Sequence, residues 1–464
     1  MRNASPEWRT HRSMGLTPRG AVAAPEPPSG MRVVADEEAA SGGPQPWRRT
    51  RWTLLFVTFL AYVFVVTTSR FPLGKAVMVG ALLGLLLEGS RVRFAPMLGW
   101  LGGFVIWATI GVAASTYPEA SFDDAIELGK VWLIVLVAVN ALTDRVRIRM
   151  YMIAYAGFFA IYPVRGTILN YLTGNTYFGR AAWNYMFANP NDLAVVTLLQ
   201  FSMVAGMLAA GVRGWVRWAC VAGTMILPLV ILLTQSRAAI IALAVVAIAL
   251  AVTQRGLLRP SSFVKIVLLL GLLAYLAPSG VWDRVRRLRH ATSTAELSEV
   301  DAEGSARQRF EIWKIATDVA SDHPVFGVGL GLYPKVHARY ALSEKFDPSG
   351  RGERDAHSTY LTVLAETGVI GALILAGLIA SVAVFADRVR RRSKTALPKS
   401  ARQLLYLELG LLGLLIAGIW GSYAQLTYVY LHLVLLWCFA DVTRRDLERL
   451  SAMRARGPAL AQPR

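Results

Sequence analysis

Arg237, Arg309 and His357 stand at or near the edges of apolar sequence, where a charge is expensive unless it is used. Arg237 closes Thr234-Gln235-Ser236-Arg237 at the head of an apolar run. Arg309 precedes Trp313 inside a long polar stretch, and His357 lies in Ala356-His357-Ser358-Thr359-Tyr360, where apolar sequence resumes. A guanidinium offers planar donors matched to two phosphate oxygens, and an imidazole titrates near neutrality and can take a proton from a hydroxyl. The combination points to chemistry on an anionic substrate at one membrane face. Each residue also has a plainer reading. A boundary arginine can snorkel, Arg307 and Arg309 can be solvated charges, and a lone histidine can be a structural hydrogen-bonding group. Against snorkelling, Arg237 falls on the arginine-poor side of the chain. Arg307 and Arg309 open a helical pattern whose free N–H groups favour an anion. Arg180, in another short connection on that side, is a further substrate-binding candidate. Glu366, nine residues after His357, lies inside an apolar run; it either orients a partner or bonds a neighbouring helix.

The elements that must position these residues are membrane spans. The chain is 55% hydrophobic and only 17% charged, and its mean hydropathy is positive. Apolar runs long enough to cross a ~30 Å hydrocarbon core recur along it. Spans are expected at about 52–69, 72–89, 94–114, 126–142, 149–170, 188–210, 214–233, 236–253, 263–279, 357–385, 403–419 and 422–441. The expected fold is an all-α polytopic membrane protein of about twelve transmembrane helices, with one large helical loop at 280–356. Residues 1–50, rich in Pro, Gly, Ala and Arg, read as a disordered cytoplasmic tail without a cleavable signal, and 443–464 as a basic tail.

Charge placement sets the orientation. With the N-terminus inside, the inner loops hold seventeen lysines and arginines, and the short outer loops hold Arg70, Lys75, Arg180 and Arg237. Both termini are then cytoplasmic, and 280–356 faces the periplasm or exterior of an inner-membrane protein. The net charge of +19 is thus an orientation signal, and no recognition pattern for nucleic acid accompanies it. Cys220 and Cys438 lie in apolar runs and read as buried, inert thiols.

Within the large loop, Arg307 to Ser321 has helical spacing. Phe310, Trp313, Ala316 or Thr317, and Ala320 form one apolar face, and His323-Pro324 ends the helix. It either lies along the membrane surface or belongs to a small cap with its own core. Gly327-Val328-Gly329-Leu330-Gly331 has the look of a dinucleotide fingerprint but lacks a strand-to-helix context; a tight turn is expected. There is no HExxH, P-loop or Gly-x-Ser-x-Gly, and neither a metal nor a cofactor is expected.

Ser236-Arg237-Ala238-Ala239, Arg309-Phe310-Glu311-Ile312-Trp313, His323-Pro324-Val325-Phe326-Gly327-Val328-Gly329, and His357-Ser358-Thr359-Tyr360-Leu361 with Glu366-Thr367-Gly368-Val369-Ile370-Gly371 follow in order. That order resembles the O-antigen ligase and polymerase family of Wzy/WaaL-type membrane glycosyltransferases, over about residues 185–375. Here Ser358 stands where the family usually has Asn. The resemblance implies transfer of a glycan from an undecaprenyl-pyrophosphate carrier to an acceptor hydroxyl, with Arg237 and Arg309 on the pyrophosphate and His357 as general base. Asn189-Pro190-Asn191-Asp192 resembles a family segment, which makes Asn191 a substrate-binding candidate; the segment is either a capped helix end lining the cavity or a structural turn. The implied partners are the lipid-linked donor, a glycan, lipid or protein acceptor, and membrane lipids. A ligase is expected; a repeat-unit polymerase of the same fold and a small-anion transporter are the alternatives.

Overall fold

In a computed structural model the described residues are 52–69, 73–87, 92–253 and 306–455. All of them belong to one compact unit, and the expected N-terminal tail, residues 1–50, lies outside the described residues. In chain order the helices are α1 (Leu54–Thr68), α2 (Gly74–Leu87), α3 (Pro96–Val112), α4 (Pro118–Ala141), α5 (Arg145–Phe159), α6 (Arg165–Leu172), α7 (Pro190–Ala209), α8 (Trp215–Leu233), α9 (Arg237–Thr253), α10 (Ala306–Asp322), α11 (Tyr333–Tyr340), α12 (Thr359–Ser393), α13 (Pro398–Ala417) and α14 (Thr427–Ala455). A π-helical turn, Ala160–Val164, joins α5 to α6 around Pro163. Among the described residues the only β pairing is an isolated bridge between Tyr177 and Arg180.

A helix stands at the place of eleven of the twelve expected spans, and the ninth, 263–279, lies outside the described residues. By length and composition five of these can cross a membrane: the continuous 145–172, α7, α8, α12 and α13; α1, α2, α3 and α9 are shorter apolar helices. Two ends differ from expectation. The acidic stretch Glu119 to Asp124, which falls between the expected spans 94–114 and 126–142, forms the start of α4, where Pro118 supplies the first turn and Glu119 complements the helix dipole. The last helix runs on to Ala455, with Arg444 pairing to Asp441 and Glu448 along its polar face.

The helix ends sort into two groups. At one, Arg93 pairs with Asp441, Arg145 with Asp446 and Arg390 with Glu408, binding α14 to the segment before α3 and to α5, and α12 to α13. At the other lie the start of α7, the link between α8 and α9, and the start of α12. Alternation of ends follows from antiparallel packing of consecutive helices: α7 lies against α8 and α13, α3 against α4 and α12, and α12 against α14. The core between them is apolar and aromatic, with Phe56, Phe59, Tyr151, Phe159, Phe187 and Tyr428 among its buried members. Cys220 and Cys438 are both buried.

The polar stretch, described from Ala306 onward, builds a cap with its own core of Ile315, Ala316, Val319, Val328, Leu332, Tyr333, Val336 and Phe346. Helix α10 ends at Asp322 as expected, but its buried face is rotated from the expected one. Ile312, Ile315, Ala316, Val319 and Ala320 are buried, while Phe310 and Thr317 are exposed and Trp313 is half-buried. Packing against α11 and α12 selects the Ile face, because those neighbours supply the larger apolar contact.

Candidate functional site

A cavity of about 450 Å³ opens where five segments converge: 177–180, the start of α7, the α8–α9 link, α10 and the approach to α12. Its walls carry Arg180, Arg237, Arg309, Arg354 and His357, together with Asn189, Asn191 and Gln235.

Arg180 arrives on a hairpin turn. Tyr177 and Arg180 exchange both backbone hydrogen bonds, at 2.9 and 3.0 Å, across Phe178 and Gly179, whose φ values are 50° and 76°. Two consecutive positive φ angles are the signature of a type I′ turn. The turn docks on the α8–α9 link: Ala181 N donates to Leu233 O, Gln235 Nε2 donates to Gly179 O at 3.1 Å, and Arg180 Nε donates to Thr234 O at 2.9 Å. Arg180 Nη2 also donates to Asn191 Oδ1 at 2.8 Å. A buried guanidinium is thereby oriented by fixed acceptors, and Arg237 follows the same link.

The start of α7 is a capped end that lines the cavity. Asn189 accepts from Asn191 N at 2.9 Å, with Pro190 in the first turn. Arg309 and Gln308 come from the first turn of α10, and Gln308 Nε2 donates to Ser349 O at 2.9 Å. The backbone of Arg307 lies in α10; its side chain lies outside the described residues.

His357 is held on both flanks. Trp313 Nε1 donates to Ala356 O at 3.0 Å, Ser358 caps α12 by accepting from Leu361 N, and Thr359 N donates to Gly418 O at 2.8 Å. Its φ of 48° is left-handed, as is that of Gln235 at 53°. Such backbone persists in non-glycine residues only when the surroundings impose it. Burial first, then the charge of Arg309, lowers the pKa of His357 below the ordinary histidine value, opposed by Asp355. The Ser358 cap shows what the small polar side chain after the histidine does, and Asn is an equally good cap.

Glu366 is not brought to the cavity. It is buried and accepts from the N–H groups of Gly331 and Tyr333. Around it the glycine run clasps a kink in α12: Val328 N donates to Ala365 O, Gly329 N to Glu366 O and Val369 N to Pro324 O. At the kink Gly368 has φ 66°, and a Cβ there would lie 2.0 Å from Val325 O. The run is thus a structural turn that anchors the cap.

Arg354 escaped the sequence reading, although it stands three residues before His357 in a charge-rich run. His337 escaped it as well. Fully buried in α11, it shares a hydrogen bond of 3.0 Å between Nδ1 and Gly352 O, and so ties down the segment that carries Arg354. A lone histidine in a polar stretch gave no signal of that role.

No curated protein matches this chain. Residues 222–376, about a third of it, match the family model described as O-antigen ligase. That stretch includes Arg237, Arg309, Arg354 and His357; it is similar to the O-antigen ligase family, and the described residues around it include five helices long and apolar enough to cross a membrane.

Proposed function

We propose that the protein is a glycosyltransferase that moves a glycan from an undecaprenyl-pyrophosphate carrier to an acceptor hydroxyl at the outer face of the inner membrane. The observation that supports this is the convergence of Arg180, Arg237, Arg309, Arg354 and His357 on one cavity. Arg237 and Arg309 bind the pyrophosphate. As the bond between the anomeric carbon and the carrier's phosphate oxygen breaks, its electron pair passes to that oxygen, and the guanidinium groups stabilise the growing charge. The acceptor oxygen forms the new bond to the anomeric carbon and gives its proton to His357, whose lowered pKa keeps it neutral and available near pH 7. Arg180 and Asn191 fix the cavity wall beside the pyrophosphate.

The excess of lysine and arginine on the other side supports a cavity facing outward, with both termini cytoplasmic. The reaction requires neither nucleotide sugar nor cofactor. The favoured reading is a ligase delivering finished glycan to another molecule; a polymerase joining repeat units on the carrier would use the same cavity. A small-anion transporter fits less well, because such sites sit at mid-membrane and these arginines gather at helix ends.

The test is transfer by purified protein given carrier-linked glycan and candidate acceptors, with EDTA and no nucleotide sugar. Glycan on a separate acceptor supports the ligase, and carrier-linked glycan growing in repeat steps supports the polymerase. Absence of both, with His357→Ala protein behaving identically, would overturn the reading.

A further inference from the structure

Three carbonyls in the segment between α11 and α12 are held by side chains of the cap. Ser349 O accepts from Gln308 Nε2 at 2.9 Å, Gly352 O shares a 3.0 Å hydrogen bond with His337 Nδ1, and Ala356 O accepts from Trp313 Nε1 at 3.0 Å. Arg354 stands midway between the last two anchors, and His357 follows the second. Residues 352–356 thus form a short bridge pinned at both ends by ring nitrogens. Both Arg354 and His357 line the cavity.

The ring of His337 is fully buried and lies 5.5 Å from that of Tyr333, whose hydroxyl donates to Ile312 O at 3.1 Å. A carbonyl oxygen only accepts, so Nδ1 carries the proton of the bond to Gly352. In the neutral ring Nε2 is then a bare acceptor, and among the described residues it has no partner. A second proton would put a charge and an unmatched N–H into the cap core, where both are costly. The charged groups around the ring offer it no counterion. Lys335 and Arg339 of α11 lie over Tyr117, Glu311 and Lys314 of α10 pair with each other, and Glu366 of α12 accepts from Gly331 and Tyr333. Burial holds the pKa of His337 below the ordinary histidine value, opposed by the Gly352 bond and reinforced by the charge of Arg354.

Arg354 is the open part of the bridge. It is exposed, its Nε donates to Arg351 O at 3.4 Å, and among the described residues its terminal nitrogens have no partner. Arg180, elsewhere on the wall, directs its donors to Thr234 O and Asn191. A planar guanidinium with two open nitrogens matches two oxygens of one phosphate. We propose that His337 is a positioning residue for transfer: its neutral Nδ1–H tautomer holds the bridge so that Arg354 meets a phosphate of the carrier. The inference rests on the transferase reading, and it adds that a buried ring outside the cavity sets one of the cavity's cations.

The experiment titrates undecaprenyl pyrophosphate into the full-length protein in detergent, read by microscale thermophoresis. His337→Phe keeps a ring and removes the donor, and His337→Asn returns an N–H near the Nδ1 position. Arg354→Ala and the double variant of His337→Phe with Arg354→Ala complete the set. Expected is about tenfold weaker binding in His337→Phe and in Arg354→Ala, recovery in His337→Asn, and no further loss in the double variant. Wild-type binding in His337→Phe, losses that multiply to about a hundredfold in the double variant, or no recovery in His337→Asn would overturn the proposal. Histidine-selective nitrogen NMR of the unaltered protein tests it even where His337→Phe does not fold. The resonance missing from His337→Asn should report a neutral ring protonated at Nδ1 near neutral pH; an imidazolium or an Nε2–H tautomer would overturn the proposal. Donor KM and kcat are measured on the same proteins, and a raised KM with kcat little changed in His337→Phe supports positioning. Wild-type transfer with unaltered His337→Phe kinetics removes this inference alone. The expected binding pattern without transfer by wild type removes the transferase reading and leaves a positioned phosphate site.

Discussion

Trp313 reaches from α10 to the residue before His357, its indole N–H donating to Ala356 O at 3.0 Å. The helix that presents Arg309 therefore also sets the backbone that presents His357. Trp313→Phe removes this bond but keeps most of the ring. A net hydrogen bond is worth about 1 kcal/mol, so a fall in kcat of about fivefold is expected, with little change in donor KM. Steady-state transfer kinetics check this; unaltered kcat would mean that the imidazole is held by other contacts.

Arg237→Ala and His357→Ala are each expected to lower transfer at least a hundredfold, on the scale of about 3 kcal/mol for losing a charge-stabilising donor. Membrane abundance and thermal stability should stay near wild type, because both residues line a cavity and lie outside the packed core. Initial rates with protein matched by membrane content decide the matter.

The pH profile carries a sign. Burial and the positive charge of Arg309 both disfavour the imidazolium form of His357, so its pKa lies below the ordinary value. Activity should be flat around neutrality and fall only as pH drops through that lowered pKa. Arg309→Gln removes one cause and leaves burial and the charge of Arg354. Its residual activity should lose ground at higher pH than wild type, seen as a shifted acid limb of kcat/KM. A limb that stays in place would separate His357 from the titrating base.

Ser358 accepts from Leu361 N at the start of α12. Ser358→Asn should keep stability and activity close to wild type, whereas Ser358→Ala should cost about 1 kcal/mol. Thermal unfolding in detergent distinguishes the two.

Gly368 sits at φ 66° in the kink of α12 with Val325 O where a Cβ would go. Gly368→Ala should displace the glycine clasp and lower the unfolding temperature by several degrees, while Gly129→Ala, with open space around it in α4, should not. Parallel thermal scans of the two variants test this.

Local pattern was enough to read the helices, since apolar length and loop charge are written in consecutive residues. It was also enough to bring Arg180, Arg237, Arg309 and His357 forward as candidates, because a cationic or titratable group beside apolar sequence is conspicuous wherever it occurs, whereas Asn191 came forward only through the resemblance of its segment to a family. The capped start of α7 and the end of α10 follow from Asn-Pro and His-Pro chemistry. Pattern did not reveal which face of α10 is buried, for Phe310 and Ile312 are both apolar and only the neighbouring α11 and α12 choose between them. Nor did it separate Glu366 from the cavity. A carboxylate in an apolar run needs partners, and here the N–H groups of Gly331 and Tyr333 supply them across the chain fold. The roles of Arg354 and His337 depend on contacts between residues far apart in sequence, which no local window contains. Order along the chain specified where the helices run and the kinds of chemistry available. Tertiary packing decided which cations share one cavity, because convergence is a property of distances across the fold and not of order along the chain.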